Sequence, residues 1–282
     1  MTGRLWEALC NVSAERFEFG KNWRRFLDLV DNDRVEFAAA SLRRMLDCDD
    51  LHGRTFLDVG CGSGLFSLAA RELGATVRSF DFDEQSVACA EELKRRFRPG
   101  DDDWRIERGS ILDDAYIGAL GRYDIVYSWG VLHHTGAMWD AMERVTRLVG
   151  DEGQLCISIY NDQGGASRRW RAVKRLYNAS PKAVRFPLVL AIGAMHEFRA
   201  CCVRAIRFQN PLPFADWARK KQDRGMSPWH DIVDWVGGYP FEVAKPEDVF
   251  NFCTKRGFQL SYLTTQGCGY GCNEFTFKKV GD

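Results

Sequence analysis

The chain has 282 residues, of which 45% are apolar and 28% charged, a balance that excludes a mainly disordered polymer and admits a large core. At roughly 100–200 residues per domain, this length allows one enlarged domain or a domain with an added lobe and excludes a string of modules. Lys plus Arg and Asp plus Glu each total 39, yet residues 161–240 hold 14 basic against six acidic side chains, so that segment carries +8 and the remainder −8.

Residues from about 12 to 51 are expected to be mainly helical, with Phe26, Leu27 and Val30 on one face and Phe37, Leu42 and Leu46 on another. From Arg54 onward, apolar strand-like runs alternate with helix-like segments. RTFLDVG reads as a short strand, and SGLFSLAARELG places Leu65, Leu68, Ala69 and Leu73 at helical spacing before Gly74. The strand ATVRSFDFD, the helix EQSVACAEELKRRF and the strand WRIERGSIL come next, followed by YDIVYSW, the helix AMWDAMERVTRLV and the strand GQLCISIYN. Repeated β-α-β order with buried-type strands requires parallel pairing through right-handed crossovers, which predicts a doubly wound α/β sheet.

After Asn161 the alternation stops for about 80 residues. Arg- and Trp-bearing helical stretches lead into a loop-like segment, GMSPWHDIVDWVGGYPFEVAKP. The longest apolar run, 186–195, has 10 residues, about half of what a bilayer-spanning helix needs, so no membrane span is expected. The pattern resumes with PEDVFNFCTKRG, a helix opened by Pro246 and closed near Gly257. The strand FQLSYLTT, the link QGCGYGC and a last strand, NEFTFKK, follow, and a link this short predicts an antiparallel hairpin. Seven strands are therefore expected, in a core spanning 53–160 and 245–282, with an N-terminal helical segment over 1–52 and a helical insertion over 161–244. The start MTGRLWEALC lacks the apolar stretch and cleavage site of a secretory signal, and the expected location is the cytosol. Ten scattered cysteines without a CxxC pair, and no His at ligand spacing, predict reduced, mostly packed thiols and no metal site.

The most specific motif is FLDVGCGSG, in which Asp58, Gly60, Cys61, Gly62 and Gly64 follow a strand and open a helix. Glycines there let the backbone approach a ligand, and the helix N-terminus offers unpaired N–H groups and a positive dipole end. A dinucleotide loop would run G-x-G-x-x-G, but the third position counted from Gly60 is Leu65, and the pattern is G-x-G-x-G. With Asp81 ending the next strand 17 residues after Gly64, the sequence resembles the class I S-adenosylmethionine-dependent methyltransferases. It is nearest to their ubiquinone-biosynthesis-type small-molecule methylases in YDIVYSWGVLHHT. The resemblance covers roughly 53–160 and 246–282 and implies a Rossmann-like core with S-adenosyl-L-methionine as cofactor. It places Asp81 on the ribose hydroxyls and Phe82 over the adenine. Gly109, Ser110 and Ile111 stand where the family often has Gly-Asp-Ala, which leaves the adenine edge to Ser110, the backbone or Asp113. Ser128, at the end of the fourth strand, completes the expected cofactor set.

Trp129, His133 and His134 follow that strand, on the side of an open α/β sheet where ligands bind. Methyl transfer to a hydroxyl needs a base, and imidazole titrates near neutrality, so either His133 or His134 is a candidate; the alternative is that one caps the next helix and the other packs. Tyr160 and Asn161 end the fifth strand. The insertion beyond them is expected to act as a lid, with Arg168, Trp229, His230 and Tyr239 offered to an anionic or sugar-like acceptor. FEFGKNW near the N-terminus could also close over the site. The rival functions are an RNA methyltransferase that binds phosphates through the +8 segment, and a non-catalytic protein that retains the fold. No Asn-Pro-Pro-Tyr-type motif follows the fourth strand and no nucleic-acid module is appended, which disfavours the first; the intact glycine loop and Asp81 disfavour the second.

Overall fold

The computed structural model describes residues 27, 30–215, 228–267 and 271–281. Among them, β1 (Thr55–Val59), β2 (Thr76–Asp81), β3 (Trp104–Arg108), β4 (Tyr123–Trp129), β5 (Val149–Tyr160), β6 (Phe258–Thr264) and β7 (Cys272–Lys279) form one sheet of order β3-β2-β1-β4-β5-β7-β6. The first five strands pair in parallel. β7 runs antiparallel to both β5 and β6, as the short link between the last two strands predicts. The strand order reverses between β1 and β4, and the crevice beyond their carboxyl ends is where such sheets bind ligands.

Side chains alternate across the sheet. Leu57 and Val59 of β1 pack on one face with Val126, Met138, Met142, Val145 and Phe277, whereas Phe56 packs on the other with Leu42, Leu68, Leu93, Ile125 and Tyr127. Because helices cover both faces, β1 and β4 are buried at nearly consecutive positions instead of at alternate ones. The covering helices include α1 (Asn32–Leu46), α2 (Leu65–Glu72) and α3 (Glu84–Phe97) on the Phe56 side, and α5 (Met138–Arg147) and α9 (Pro246–Thr254) on the Leu57 side; α4 (Asp114–Gly118) is a short crossover turn.

The described residues up to Ser167 and from Phe241 form one compact unit, and those from Arg168 to Pro240 form a second. The helix α1, expected in a separate N-terminal segment, belongs to the sheet unit. Asp31 caps it by accepting from Arg34 N at 3.0 Å, and it buries Val35, Ala38, Ala39, Leu42, Met45 and Leu46. Phe37 does not share that face and is 71% exposed, because its five-residue separation from Leu42 turns it about 140° around the helix. Phe26 and the FEFGKNW segment lie outside the described residues.

The second unit contains most of α6 (Gly165–Ala179), with α7 (Lys182–Ile206) and α8 (Pro228–Gly237). Its core is Tyr177, Val189, Ile192 and Val236, with Trp170, Leu188 and Trp235 against it. Lys174 is buried there: its Nζ lies 4.3 Å from the centroid of the Trp235 ring and donates to the Trp235 carbonyl. The stretch expected to be loop-like at 228–237 is helical, since Pro228 opens it and Ile232, Val233 and Val236 supply an apolar face. The 10-residue apolar run is one part of the 25-residue α7.

Truncating Leu42 to Ala should lower the unfolding free energy by about 2–5 kcal/mol in a urea titration, as expected for a cavity at a sealed position. Phe37→Ala should change it by about 0.5 kcal/mol or less; a large loss at Phe37 would contradict the packing of α1.

Candidate active site

The turn from β1 into α2 is pressed against its neighbours by contacts that leave no room for a side chain at Gly60 or Gly64. Gly60 N and Cys61 N both donate to the Phe80 carbonyl, at 2.8 and 3.1 Å, and Gly62 N donates to Asp81 Oδ2 at 3.0 Å. Gly60 has φ +77°, and a Cβ there would sit 2.4 Å from Val131 Cγ1. A Cβ on Gly64 would meet that of Ala90 at 2.9 Å. Gly64 is also the N-cap of α2 and has no side chain to occupy the first N–H groups of that helix.

Asp58 lies under this turn, 3% exposed. Ser67 Oγ donates to Asp58 Oδ2 at 2.5 Å, Ser67 Oγ and Ser79 Oγ are 2.8 Å apart, and Trp104 Nε1 donates to Ser79 Oγ at 2.8 Å. With Asp58 ionised, the single proton of Ser67 points at the carboxylate, so Ser79 must donate to Ser67, and the chain runs one way from the indole to Asp58. Burial pushes the Asp58 carboxyl up to about 7, aided by the nearby charge of Asp81 and opposed by the Ser67 hydrogen bond. Burial also drives the Cys61 thiol far above its ordinary range.

Asp81 ends β2 partly exposed, its two oxygens oriented by Gly62 N at 3.0 Å and Asp83 N at 2.8 Å. Phe82 follows it, half exposed. Ser110 Oγ accepts from Leu112 N at 3.2 Å, and Ile111 is buried. Asp113 is the N-cap of α4, accepting from Ala115 N and Tyr116 N. Ser128 is sealed, with its hydroxyl donating to the Val59 carbonyl at 3.0 Å, so it ties β4 to β1 from beneath the turn.

Beyond β4, Trp129 is 43% exposed and the chain turns through a 3₁₀ segment, Leu132–His134. His133 has no exposed surface and His134 has 7%. The His133 Nδ1 accepts from Tyr160 N at 3.4 Å, and the two rings lie 3.9 Å apart. His134 meets Tyr160 edge-on at 5.4 Å, and Phe241 packs against Tyr160 at 5.3 Å. The next helix receives a cap from a distant segment. Glu242, which the sequence did not single out, takes that position: its carboxylate oxygens accept from Met138 N at 3.1 and 3.2 Å, and its own N–H donates to the His133 carbonyl at 2.9 Å.

Asn161 was expected at an acceptor, but its amide is engaged within the sheet unit. Nδ2 donates to the Gly267 carbonyl at 2.8 Å and Oδ1 accepts from Asn273 Nδ2 at 3.1 Å. In the second unit Arg168 is exposed, and Tyr239 is partly buried with the Arg175 guanidinium 6.0 Å from its ring centroid. The backbone at Trp229 and His230 is helical, but their side chains lie outside the described residues.

Residues 57–155 match a family described as a methyltransferase domain, about a third of the chain. A ribosomal protein L11 methyltransferase of Campylobacter fetus is 32% identical over 127 residues, which are 41% of this chain and 44% of that protein. The chain thus spans less than half the length of that relative. A ubiquinone biosynthesis O-methyltransferase of Pseudomonas paraeruginosa is 27% identical over 194 residues, covering 66% of this chain and 68% of the other. Among solved structures, the N-methyltransferase NodS from Bradyrhizobium japonicum, in complex with S-adenosyl-L-homocysteine, aligns with a TM-score of 0.51 at 14% identity, over 93% of this chain and 98% of that one. Residues 57–155 are thus similar to a methyltransferase domain, and the sheet order and the glycine turn agree with that likeness.

A carboxyl whose pKa rises on folding is favoured in its protonated form by the native state. The contribution of Asp58 is therefore complete below its ordinary value of 3.8 and is lost as pH rises through about 7. Across that window the loss should be about 4 kcal/mol, at about 1.4 kcal/mol per pH unit. Asp58→Asn should remove it, so denaturant titrations at pH 4 and pH 7.5 should show a flatter profile in the variant. Parallel profiles would mean that Asp58 is not held in this environment.

Proposed function

We propose that this protein transfers a methyl group from S-adenosylmethionine to a small-molecule acceptor, at a hydroxyl of an anionic or carbohydrate-like compound. The observation that carries the cofactor assignment is the pairing of Asp81 with the glycine turn. A partly exposed carboxylate is oriented by two backbone N–H groups at the end of β2, beside a turn with glycine at 60, 62 and 64 and the N-terminus of α2, which has no side-chain cap. A carboxylate so placed suits the two vicinal hydroxyls of a ribose, and the half-exposed Phe82 next to it suits the face of a purine. When bound, the cofactor supplies an electrophilic methyl group on a sulfonium.

The groups that would serve the acceptor stand at the ends of β4 and β5. His133, sealed and accepting from Tyr160 N, orients the end of β5, whereas His134 retains some exposure and takes the role of base for the acceptor hydroxyl. The exposed indole of Trp129 and the Tyr160 ring offer the apolar walls of such a pocket. The exposed Arg168, Arg169 and Arg171 of α6 support an anionic acceptor through their charge. Kinship with the ubiquinone biosynthesis O-methyltransferase supports the small-molecule assignment.

Calorimetry should register binding of S-adenosylmethionine to the wild-type protein, and Asp81→Ala should weaken it by about 1.5–3 kcal/mol, roughly 10- to 150-fold. Binding of NADH in place of S-adenosylmethionine would overturn the assignment. Once a labelled-methyl screen of sugars, nucleotide sugars, phenols, peptides and RNA identifies an acceptor, His134→Ala should lower kcat by about 10²- to 10⁴-fold and leave the cofactor Kd nearly unchanged. An unaltered kcat on a hydroxyl acceptor would remove His134 from catalysis.

A further inference from the structure

The helix α7 is inverted relative to an ordinary surface helix, with its charges gathered toward the core side and an apolar face outward. Val184, Leu190, Ala194, Met195, Phe198 and Ile206 are all exposed. At 100° per residue they fall within an arc of about 160° that contains no charged residue. The opposite side holds Val189 and Ile192, which pack in the small core, and all of the helix's charges. The surface continues past the helix end. Phe208 is 98% exposed, and Leu212 and Phe214 are exposed beside it. Two contacts fasten that segment to the helix: Arg204 donates to the Leu212 carbonyl at 2.9 Å, and Phe214 N donates to Glu197 Oε1 at 2.9 Å.

The exposed charges of α7 have one sign. Glu197, the only acid in α7, is neutralised by Arg204 at 2.8 Å. The exposed charges left are Lys182 and Arg199 on the helix and Arg207 just past its end. At its N-terminal end, on the side opposite the apolar face, a groove of about 290 Å³ is lined by Lys182 and Arg185 together with Tyr177, Phe186, Val189 and Val233. A broad apolar stripe with aromatic side chains, on a helix whose exposed charges are all cationic, is complementary to one environment in particular, the headgroup and upper acyl region of an anionic bilayer.

The helix is long and apolar enough to cross a membrane by length and composition. Crossing, however, would strip Val189 and Ile192 from their core and carry Arg185, Glu197, Arg199 and Arg204 into hydrocarbon. Lying in the plane keeps both. We propose that α7 and the segment to Phe214 dock this protein on the surface of an anionic lipid bilayer, with the helix parallel to the membrane and its apolar face at the acyl boundary. The proposal is independent of the methyl-transfer assignment, because it requires neither cofactor nor acceptor.

The test is co-sedimentation of the full chain with vesicles of phosphatidylcholine alone and of phosphatidylcholine mixed with phosphatidylglycerol. The wild-type protein should pellet with the mixed vesicles and bind the neutral ones at least about tenfold more weakly, with the difference shrinking as salt rises. The double variant Leu190→Asp/Phe198→Asp should lose binding to the mixed vesicles by at least about tenfold. Its thermal midpoint should match the wild type, because both positions are exposed. Lys182→Glu/Arg199→Glu, which leaves the apolar face intact, should also weaken binding to the mixed vesicles. Wild-type protein that stays in the supernatant with both vesicle types would overturn the proposal. So would a dimer in light scattering that the aspartate variant dissolves without any lipid binding by the wild type, since a second copy of the chain would then cover the face.

Discussion

Asp58 sits at the carboxyl end of β1 with its charge out of reach of water, and a line of donors from Trp104 through Ser79 and Ser67 ends on it. These four residues come from three neighbouring strands and from the helix that leaves the turn. The network therefore fixes where α2 starts relative to β1, β2 and β3. Above it, the Phe80 carbonyl and the Asp81 carboxylate draw three successive N–H groups of the turn toward β2. Val131 closes the other side against the bare Cα of Gly60. The glycines are consequences of this squeeze, since two strands and a helix converge where a methyl group would not fit.

The acceptor side of the crevice is organised by a residue from far along the chain. Glu242 lies 104 positions from Met138, yet its carboxylate holds the first turn of α5 and its amide holds the His133 carbonyl. Carboxylates are favoured at helix N-termini, where they meet unpaired N–H groups and the positive end of the dipole. The loop that carries both imidazoles is thus anchored from the side of the chain that returns from the second unit. His133 extends the anchoring to Tyr160, so the ends of β4 and β5 and the returning chain share one set of hydrogen bonds.

Much of the architecture was legible in the residue order, for a physical reason. Strands covered on both faces must be nearly continuous in apolar residues, and RTFLDVG, YDIVYSW and GQLCISIYN stand out against the amphipathic helices between them. The glycine turn was equally plain, because it needs small residues at fixed positions. Side-chain partnerships across large sequence distances were not legible. Nothing near Ser67 announces a carboxylate nine residues earlier, and nothing near Asn161 announces Asn273. The histidine pair stood out, but its burial did not, since burial depends on Tyr160 and Phe241 arriving from two other segments. Phe37 and the helix at 228–237 depart from what composition implies, because the angle around a helix decides which apolar residues share a face.

The parallel bridge between Asn161 and Ala244 has a different kind of consequence. Ala244 N donates to the Tyr160 carbonyl at 3.0 Å and Asp162 N donates to the Ala244 carbonyl at 3.1 Å, so the chain leaves the sheet and rejoins it at a single clasped point. An excursion closed in this way costs entropy that grows with the logarithm of its length, about 0.6 kcal/mol for each doubling. The sheet is therefore almost indifferent to how many residues lie between the two ends. In these entropic terms the stretch from Arg168 to Pro240 could change length at little cost to the strands and the glycine turn, whereas Phe241 and Glu242 are held by the sheet unit's own contacts.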